Sequence, residues 1–231
     1  MEQEIATTLK ALRARHINTE FAKTAAEATT KLLTLIPKER VVGLDGSATV
    51  SQIGIVEALK QRGTRVRERT AEAEFRDRIT TCDIFLTGTN VVTQDGRLLN
   101  LDGYGSRIAG IVWGHPQTII VVGKNKIVKD LDEGFDRLRH VIAPNHIKIR
   151  VVDLGGRRHD TPCAKTGQCV DCRTKDRACN VFQLIEGRPL GLQLTVMMVD
   201  EDLGLAWDEA WPQDRINKII ENYKRFVWVP H

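Results

Sequence analysis

The feature that most constrains the fold is the alternation of short apolar runs with amphipathic stretches. Val41-Val42-Gly43-Leu44 and Thr118 to Val122 are nearly free of polar side chains. Runs of that length suit strands covered on both faces, with the intervening helices as the cover. The first run leads into a polar turn, Asp45-Gly46-Ser47-Ala48-Thr49, then into a helical stretch from about Val50 to Arg62 that stops at Gly63. Arg65–Arg69 and Asp83–Thr87 read as further strands, and about Val128 to Val141 as a long helix. Upstream, Ile5, Leu9 and Leu12 recur at helical spacing. Thr24 and Glu27 form a capping box that opens a second helix running to about Ile36, before Pro37. Near the end, Val181–Glu186 and Leu192–Val199 are expected to pair around Gly187-Arg188-Pro189, and a last helix to span about Pro212–Phe226. The pattern predicts an α/β fold: one three-layer domain over residues 1–231 with a mainly parallel sheet, residues 1–36 forming N-terminal helices.

Composition excludes several classes. With 231 residues, 42% of them hydrophobic, the chain can bury a core without disulfide staples. The net charge of +4 is spread, with bases beside acids as in Glu68-Arg69 and Lys129-Asp130, so no basic face for nucleic acid is expected. No apolar run approaches the roughly 20 residues of a membrane helix. Met1-Glu2-Gln3-Glu4 is acidic and lacks a signal core. The expected setting is cytoplasmic, without membrane or nucleic-acid partners. Thiols stay free there, so clustered cysteines point to metal binding.

Four of the five cysteines lie in one polar segment, residues 160–180, which reads as a loop inserted between strands. The spacing is Cys163-x5-Cys169-x2-Cys172-x6-Cys179. The central C-x-x-C lets two thiolates converge on one ion, and Lys165, Arg173, Lys175 and Arg177 favour the thiolate form. Zinc held by four Cys would be structural. A [4Fe–4S] cluster takes four Cys and would be a redox centre. The spacing matches neither the paired C-x-x-C layout of zinc sites nor the ferredoxin run, so both occupants stay open. His159 is a substitute ligand, although a solvated loop histidine is the simpler reading. Cys82, before a strand, reads as a buried small hydrophobe.

A second constellation gathers at strand ends. It comprises Thr89 and Asn90, then Asp95 in the Asp95-Gly96 hairpin turn, then Asn100, Asp102, Gly103, Gly105 and Arg107. In open α/β sheets, ligands bind outside the carboxyl ends of the strands. Gly46, Ser47 and Thr49 sit where a helix begins, which suits a carboxylate or phosphate. Lys126, after Gly123, is placed to neutralise such an anion, and Asp102 is the candidate acid–base group. No Walker A sequence and no GxGxxG after the first strand is present, and none of the six histidines sits in a recognisable triad motif.

Three stretches carry a resemblance: "FLTGTNVVTQDGRLLNLDGYGSRIAG", "IIVVGKNKIVKD" and "TPCAKTGQCVDCRTKDRACN". Together they resemble the lactate-utilisation domain (LUD) family, the last stretch one branch of it, with likeness over roughly Leu9 to Leu205. The resemblance implies a fold similar to ribose-phosphate isomerase, glucosamine-phosphate deaminase and CoA transferases. It also implies a link to lactate utilisation, where some members act in iron–sulfur-containing oxidation complexes. Asn90, Asp95, Asn100 and Gly103 are loosely similar to the active-site loop of the sugar-phosphate isomerases. The chain has the cysteine loop without the repeated cysteine runs of a ferredoxin-like domain.

Three functions follow as expectations. The first is a redox-linked enzyme or subunit of an oxidation complex acting on a small anionic metabolite. The second is a non-redox isomerase- or transferase-like enzyme on a phosphorylated or carboxylated ligand, with structural zinc. The third is a regulatory or assembly module. A homodimer is the default oligomer.

Overall fold

The computed structural model describes residues 2–68, 82–150 and 159–227. Its main sheet has six strands: β1 (Asn18–Ala22), β2 (Val41–Leu44), β3 (Arg65–Arg67), β4 (Ile84–Gly88), β7 (Gln117–Gly123) and β10 (Gln193–Val199). They lie in the order β1-β10-β7-β4-β2-β3, and every pairing is parallel. A smaller sheet joins β5 (Val91–Thr93), β6 (Leu98–Asp102), β8 (Ile127–Val128) and β9 (Val181–Ile185) in the order β8-β5-β6-β9.

Side chains alternate across the main sheet, and each face has its own core. On one face Val42, Leu44, Ile84, Leu86, Ile119, Val121, Met197 and Val199 pack against helices Ala25–Leu35 and Ile55–Gln61. On the other, Phe85, Ile120, Val122, Val196 and Met198 meet Ile5, Leu9 and Leu12 of the first helix, Ile111, and the smaller sheet. The far side of the smaller sheet, through Val91 and Leu99, is covered by Leu138 and Ile142. This is the expected α/β domain with a mainly parallel sheet and helices on both faces.

Local signals explain most boundaries. The Thr24 side chain accepts from Glu27 N at 3.2 Å, and Glu27 Oε2 accepts from Lys23 N at 2.8 Å, so the reciprocal arm of the capping box reaches one residue further back. Gly96, at φ 86, closes the hairpin between β5 and β6, and its bare Cα lies against the backbone of Ala11 and Leu12. Five expectations need correction. Residues 1–36 contain an edge strand, Asn18–Ala22, between their helices; its side chains are mostly half-buried, so it leaves little alternation to read. The helix expected from Val50 starts at Ala48 with Ser47 as N-cap, and left-handed Gly54 breaks it in two. The strand expected over Arg65–Arg69 ends at Arg67, and Arg69 lies outside the described residues. The helix expected over Val128–Val141 begins at Leu131, capped by Asp130, and continues to Ile149. It passes Pro144 through a π turn at Arg137–Ile142, where Ala143 N donates to Leu138 O. Finally, Val181–Ile185 and Gln193–Val199 do not pair. The almost fully buried β10 sits inside the main sheet between β1 and β7, while the half-exposed β9 pairs with β6. No helix among the described residues is long and apolar enough to cross a membrane.

Phe85 is fully buried, and a Cβ added at Gly110 would fall onto its ring. Gly110→Ala should therefore destabilise the protein by about 1–3 kcal/mol through overpacking, read as a lower urea midpoint. Phe85→Leu in the same chain should recover part of that loss.

Candidate functional site

Four neighbouring strands of the main sheet, β10, β7, β4 and β2, run the same way and empty their carboxyl ends into one cleft. Its interior volume is about 170 Å³. After β2 come Asp45, Gly46, Ser47 and Thr49; after β4, Asn90; after β7, Lys126; after β10, Gly204 and Leu205. A topological edge of this kind is where open α/β sheets bind ligands.

Lys126 is the centre of this cleft. Its Nζ donates to Thr49 Oγ1 at 2.7 Å and to Thr89 O at 2.8 Å, and the residue is 5% exposed. Gly204 makes room for it: at φ 72, an added Cβ would stand 2.7 Å from Nζ and 2.5 Å from Thr49 Oγ1. No carboxylate among the described residues lies within ion-pair distance of Nζ. Burial, helped by the nearby Arg107 cation, pushes the ammonium down to about 7.

The charge around the cleft is lopsided. Among the described residues, Lys126, Arg107, Arg150 and Arg177 line it against two carboxylates, Asp45 and Asp102. Asp45 faces Arg107 at 3.7 Å, and the Arg107 guanidinium also donates to Gly46 O. The Asp102 carboxylate accepts from three backbone amides, Tyr104 N, Gly105 N and Arg107 N, at 2.9–3.1 Å. That arrangement fixes the loop ahead of helix Ser106–Val112, whose first turn left-handed Gly105 opens. Asn90 belongs to the same scaffold, since its Oδ1 accepts from Leu101 N. Asn100 and the Thr89 side chain lie just behind, fully buried: Asn100 Oδ1 accepts from Asn90 N and the Thr89 hydroxyl. Asn100 and Thr89 support the wall instead of lining it.

Asp95 stands apart from the cleft. It sits at the hairpin tip in an exposed ion cluster with Arg15, Arg97 and Glu186. The hairpin that ends in Asp102 points its other end, with Asp95, away from the strand termini.

The cysteine segment, expected as a site of its own, closes over this cleft. Cys163, Cys172 and Cys179 line the same cavity as Lys126. Asn180 N donates to Asp102 O at 3.1 Å, and a Cβ at Gly103 would come within 3.0 Å of the Ala178 backbone. Gly103 is thus the seam between the two parts. Thr161 caps a short helix, Pro162–Thr166, that starts the segment. All four thiols are partly buried and free, and burial raises the Cys163 thiol. Among the described residues, no three His, Cys, Asp or Glu side chains stand as a preformed metal cage. Cys82 is buried as expected, its thiol pushed up to about 11 by burial.

One helix and Tyr223 bring residues to the cleft that were not singled out from the sequence. Ala143, His146, Ile147 and Arg150 line the cleft from one stripe of a helix, at i, i+3, i+4 and i+7. Two polar residues on an otherwise apolar stripe were the available signal. His146 Nδ1 lies 2.5 Å from the Tyr223 hydroxyl, which the last helix brings in from 77 residues away. Burial pushes His146 down to about 3 and Tyr223 up to about 12, so the pair is neutral. His159 is 5% exposed, which corrects the solvated-loop reading.

An open parallel α/β sheet with a cationic cleft at its strand ends is the class of protein this geometry defines. The LUD domain family model matches residues 5–199, and the chain belongs to that family. A solved structure of a DUF162 family protein from Deinococcus radiodurans is similar at 14% identity, with a TM-score of 0.51. The match covers 86% of this chain and 97% of that one, a likeness of fold. No curated protein matches the sequence.

The depressed lysine gives a signed expectation. Between pH 7 and 10.5 the unfolded chain holds a proton on Lys126 that the folded chain sheds, so stability rises with pH across that window. Below pH 7 the full penalty of burying the ammonium is present. Lys126→Met should remove the rise, so the wild-type unfolding free energy gains on that of the variant by on the order of a few kcal/mol from pH 7 to pH 10. Urea titrations of both proteins at several pH values measure this.

Proposed function

We propose that this chain is a redox-linked enzyme or subunit acting on a small organic acid of the lactate type. The strand-end cleft holds the acid's carboxylate, and the cysteine segment, with Cys163, Cys169, Cys172 and Cys179 as candidate ligands, holds an iron–sulfur cluster. One observation carries this reading: a buried ammonium with no carboxylate beside it among the described residues shares a cavity with three thiols. The family's link to lactate utilisation supports the substrate class.

The residues suit their parts. A carboxylate beside Lys126 would supply the counter-charge the ammonium lacks and favour its protonated form. Arg107 adds positive potential, partly offset by Asp45. Asp102 spends its carboxylate oxygens on three backbone amides, so its role is to hold the Tyr104–Arg107 loop, while the neutral His146–Tyr223 pair offers the acid's hydroxyl a hydrogen-bonding partner. The thiols are soft donors of the type that bind iron–sulfur clusters, and Arg177 beside Cys179 offsets their negative charge. They are not preformed as a cage, so metal uptake and ordering of the segment are coupled. A bound cluster would supply electron transfer to or from the cleft.

The second reading, a non-redox isomerase- or transferase-like enzyme with structural zinc, fits less well. Structural zinc closes its four ligands around the ion, whereas Cys163, Cys172 and Cys179 border an open cleft.

Protein purified without oxygen should be brown and contain iron and acid-labile sulfide in near-equal amounts. A colourless, zinc-only protein contradicts the redox reading. Lactate should raise the thermal midpoint at pH 6 more than at pH 9, because its carboxylate binds the protonated lysine. Lys126→Met should abolish that response.

A further inference from the structure

We propose that Lys126 is also a nucleophile, whose ε-amine condenses with the carbonyl carbon of a small 2-oxo acid to form an imine. The proposal rests on the reading of the cleft as an organic-acid site and needs no iron–sulfur cluster. It gives the oxo acid, the oxidised partner of a hydroxy acid, a covalent hold that the hydroxy acid lacks.

Placement sets Lys126 apart from other lysines of the chain. Lys31, Lys60, Lys124, Lys165 and Lys224 each place Nζ 2.5–3.0 Å from a carboxylate oxygen. Lys124 does so from the same short turn as Lys126, with Asp200 as its partner. Lys126 instead lines the cleft, buried, with the Thr49 hydroxyl and the Thr89 carbonyl as its hydrogen-bond partners. An ammonium held by a carboxylate is kept protonated and is no nucleophile, whereas a lysine desolvated beside another cation is activated as an amine. Arg107 is that cation, and together with burial it brings Lys126 down to about 7, so much of it is neutral amine at neutral pH.

The contacts also order the nitrogen. Thr89 O can only accept, so it takes one N–H, and Thr49 Oγ1 takes a second. An amine that has lost its third proton carries its lone pair in the remaining direction. Gly204 leaves open space beside the head group, since a Cβ there would stand 2.7 Å from Nζ and 2.8 Å from Cε. Leu101, Leu138, Ile142 and Leu205 give the cleft an apolar wall that suits the alkyl end of a short oxo acid. Arg107 is the cation left to face the acid's carboxylate once Lys126 is consumed.

The step balances. Nζ attacks the carbonyl carbon, the carbonyl oxygen becomes a hydroxyl, and the carbinolamine loses that hydroxyl as water. Both protons of the water come from the amine, and the Thr49 hydroxyl, 2.7 Å from Nζ, is placed to pass them on. No oxidant or reductant is consumed.

The test incubates the full chain with pyruvate and sodium cyanoborohydride at pH 7, where the reagent's hydride reduces an imine to a stable secondary amine. Intact mass should rise by one pyruvic acid less one oxygen, and peptide mapping should place the addition on Lys126. Exposed lysines are almost wholly protonated at this pH and should react at least about tenfold more slowly. Lys124→Met should keep the adduct and Lys126→Met should lose it; the wild-type map carries the result if the second variant does not fold. Excess lactate should slow the labelling. Labelling confined to the α-amino group or to exposed lysines overturns the proposal. No adduct in a protein whose thermal midpoint still responds to lactate overturns the nucleophile and leaves the acid site standing. No adduct and no response overturns both. Labelling of Lys126 that lactate leaves unchanged upholds the nucleophile and contradicts the acid site.

Discussion

A buried ammonium ties four strand ends of this protein together. Lys126 reaches back from the end of β7 to Thr49, after β2, and to Thr89, after β4. Gly204, after β10, leaves the space its head group occupies. Two hydrogen bonds satisfy two of the three ammonium donors, and among the described residues no acid neutralises the charge. Burying a charge without a counter-ion is costly unless it shifts its pKa or gains a partner, and the downward shift of Lys126 to about 7 follows from that. An anion entering the cleft relieves the same cost, which links the stability of the apo fold to its ligand.

The two chemical features of the sequence meet in one place because of a single hairpin. Strands β5 and β6 carry the chain from Asn90 at the cleft out to Asp95 and back to Asp102. Asp102 gathers three backbone amides and so sets the loop on which the cysteine segment rests through Asn180 and Gly103. The segment contributes few residues to the hydrophobic clusters and is held by polar contacts and short caps. A bound metal would add to it what apolar packing does not.

Much of this was legible in the sequence, for identifiable reasons. Strands buried on both faces, such as Thr118–Val122, announce themselves by composition, and helix starts by capping residues such as Thr24. The loops after β2, β4 and β7 could be placed because glycines and short polar residues followed apolar runs. What stayed hidden depended on long-range placement. The edge strand Asn18–Ala22 lacks alternation, and β9 and β10 looked like partners because they are neighbours in sequence. Asp95 shares its residue type and hairpin with Asp102 but lies at the opposite end, which spacing alone does not show. His146 and Tyr223, 77 residues apart, meet only once the last helix docks. A lysine's missing counter-ion is likewise a property of the packed fold.

The central claim is that one cleft serves both the acid and the metal. Its most direct test is a crystal structure of iron-loaded protein soaked with lactate, with anomalous data at the iron edge. The account predicts iron on the cysteine segment and a lactate carboxylate oxygen in hydrogen-bond contact with Lys126 Nζ, both within the cleft at the carboxyl ends of β2, β4, β7 and β10. Iron bound away from the cleft, or lactate seated elsewhere while Lys126 keeps only its two present partners, would contradict it.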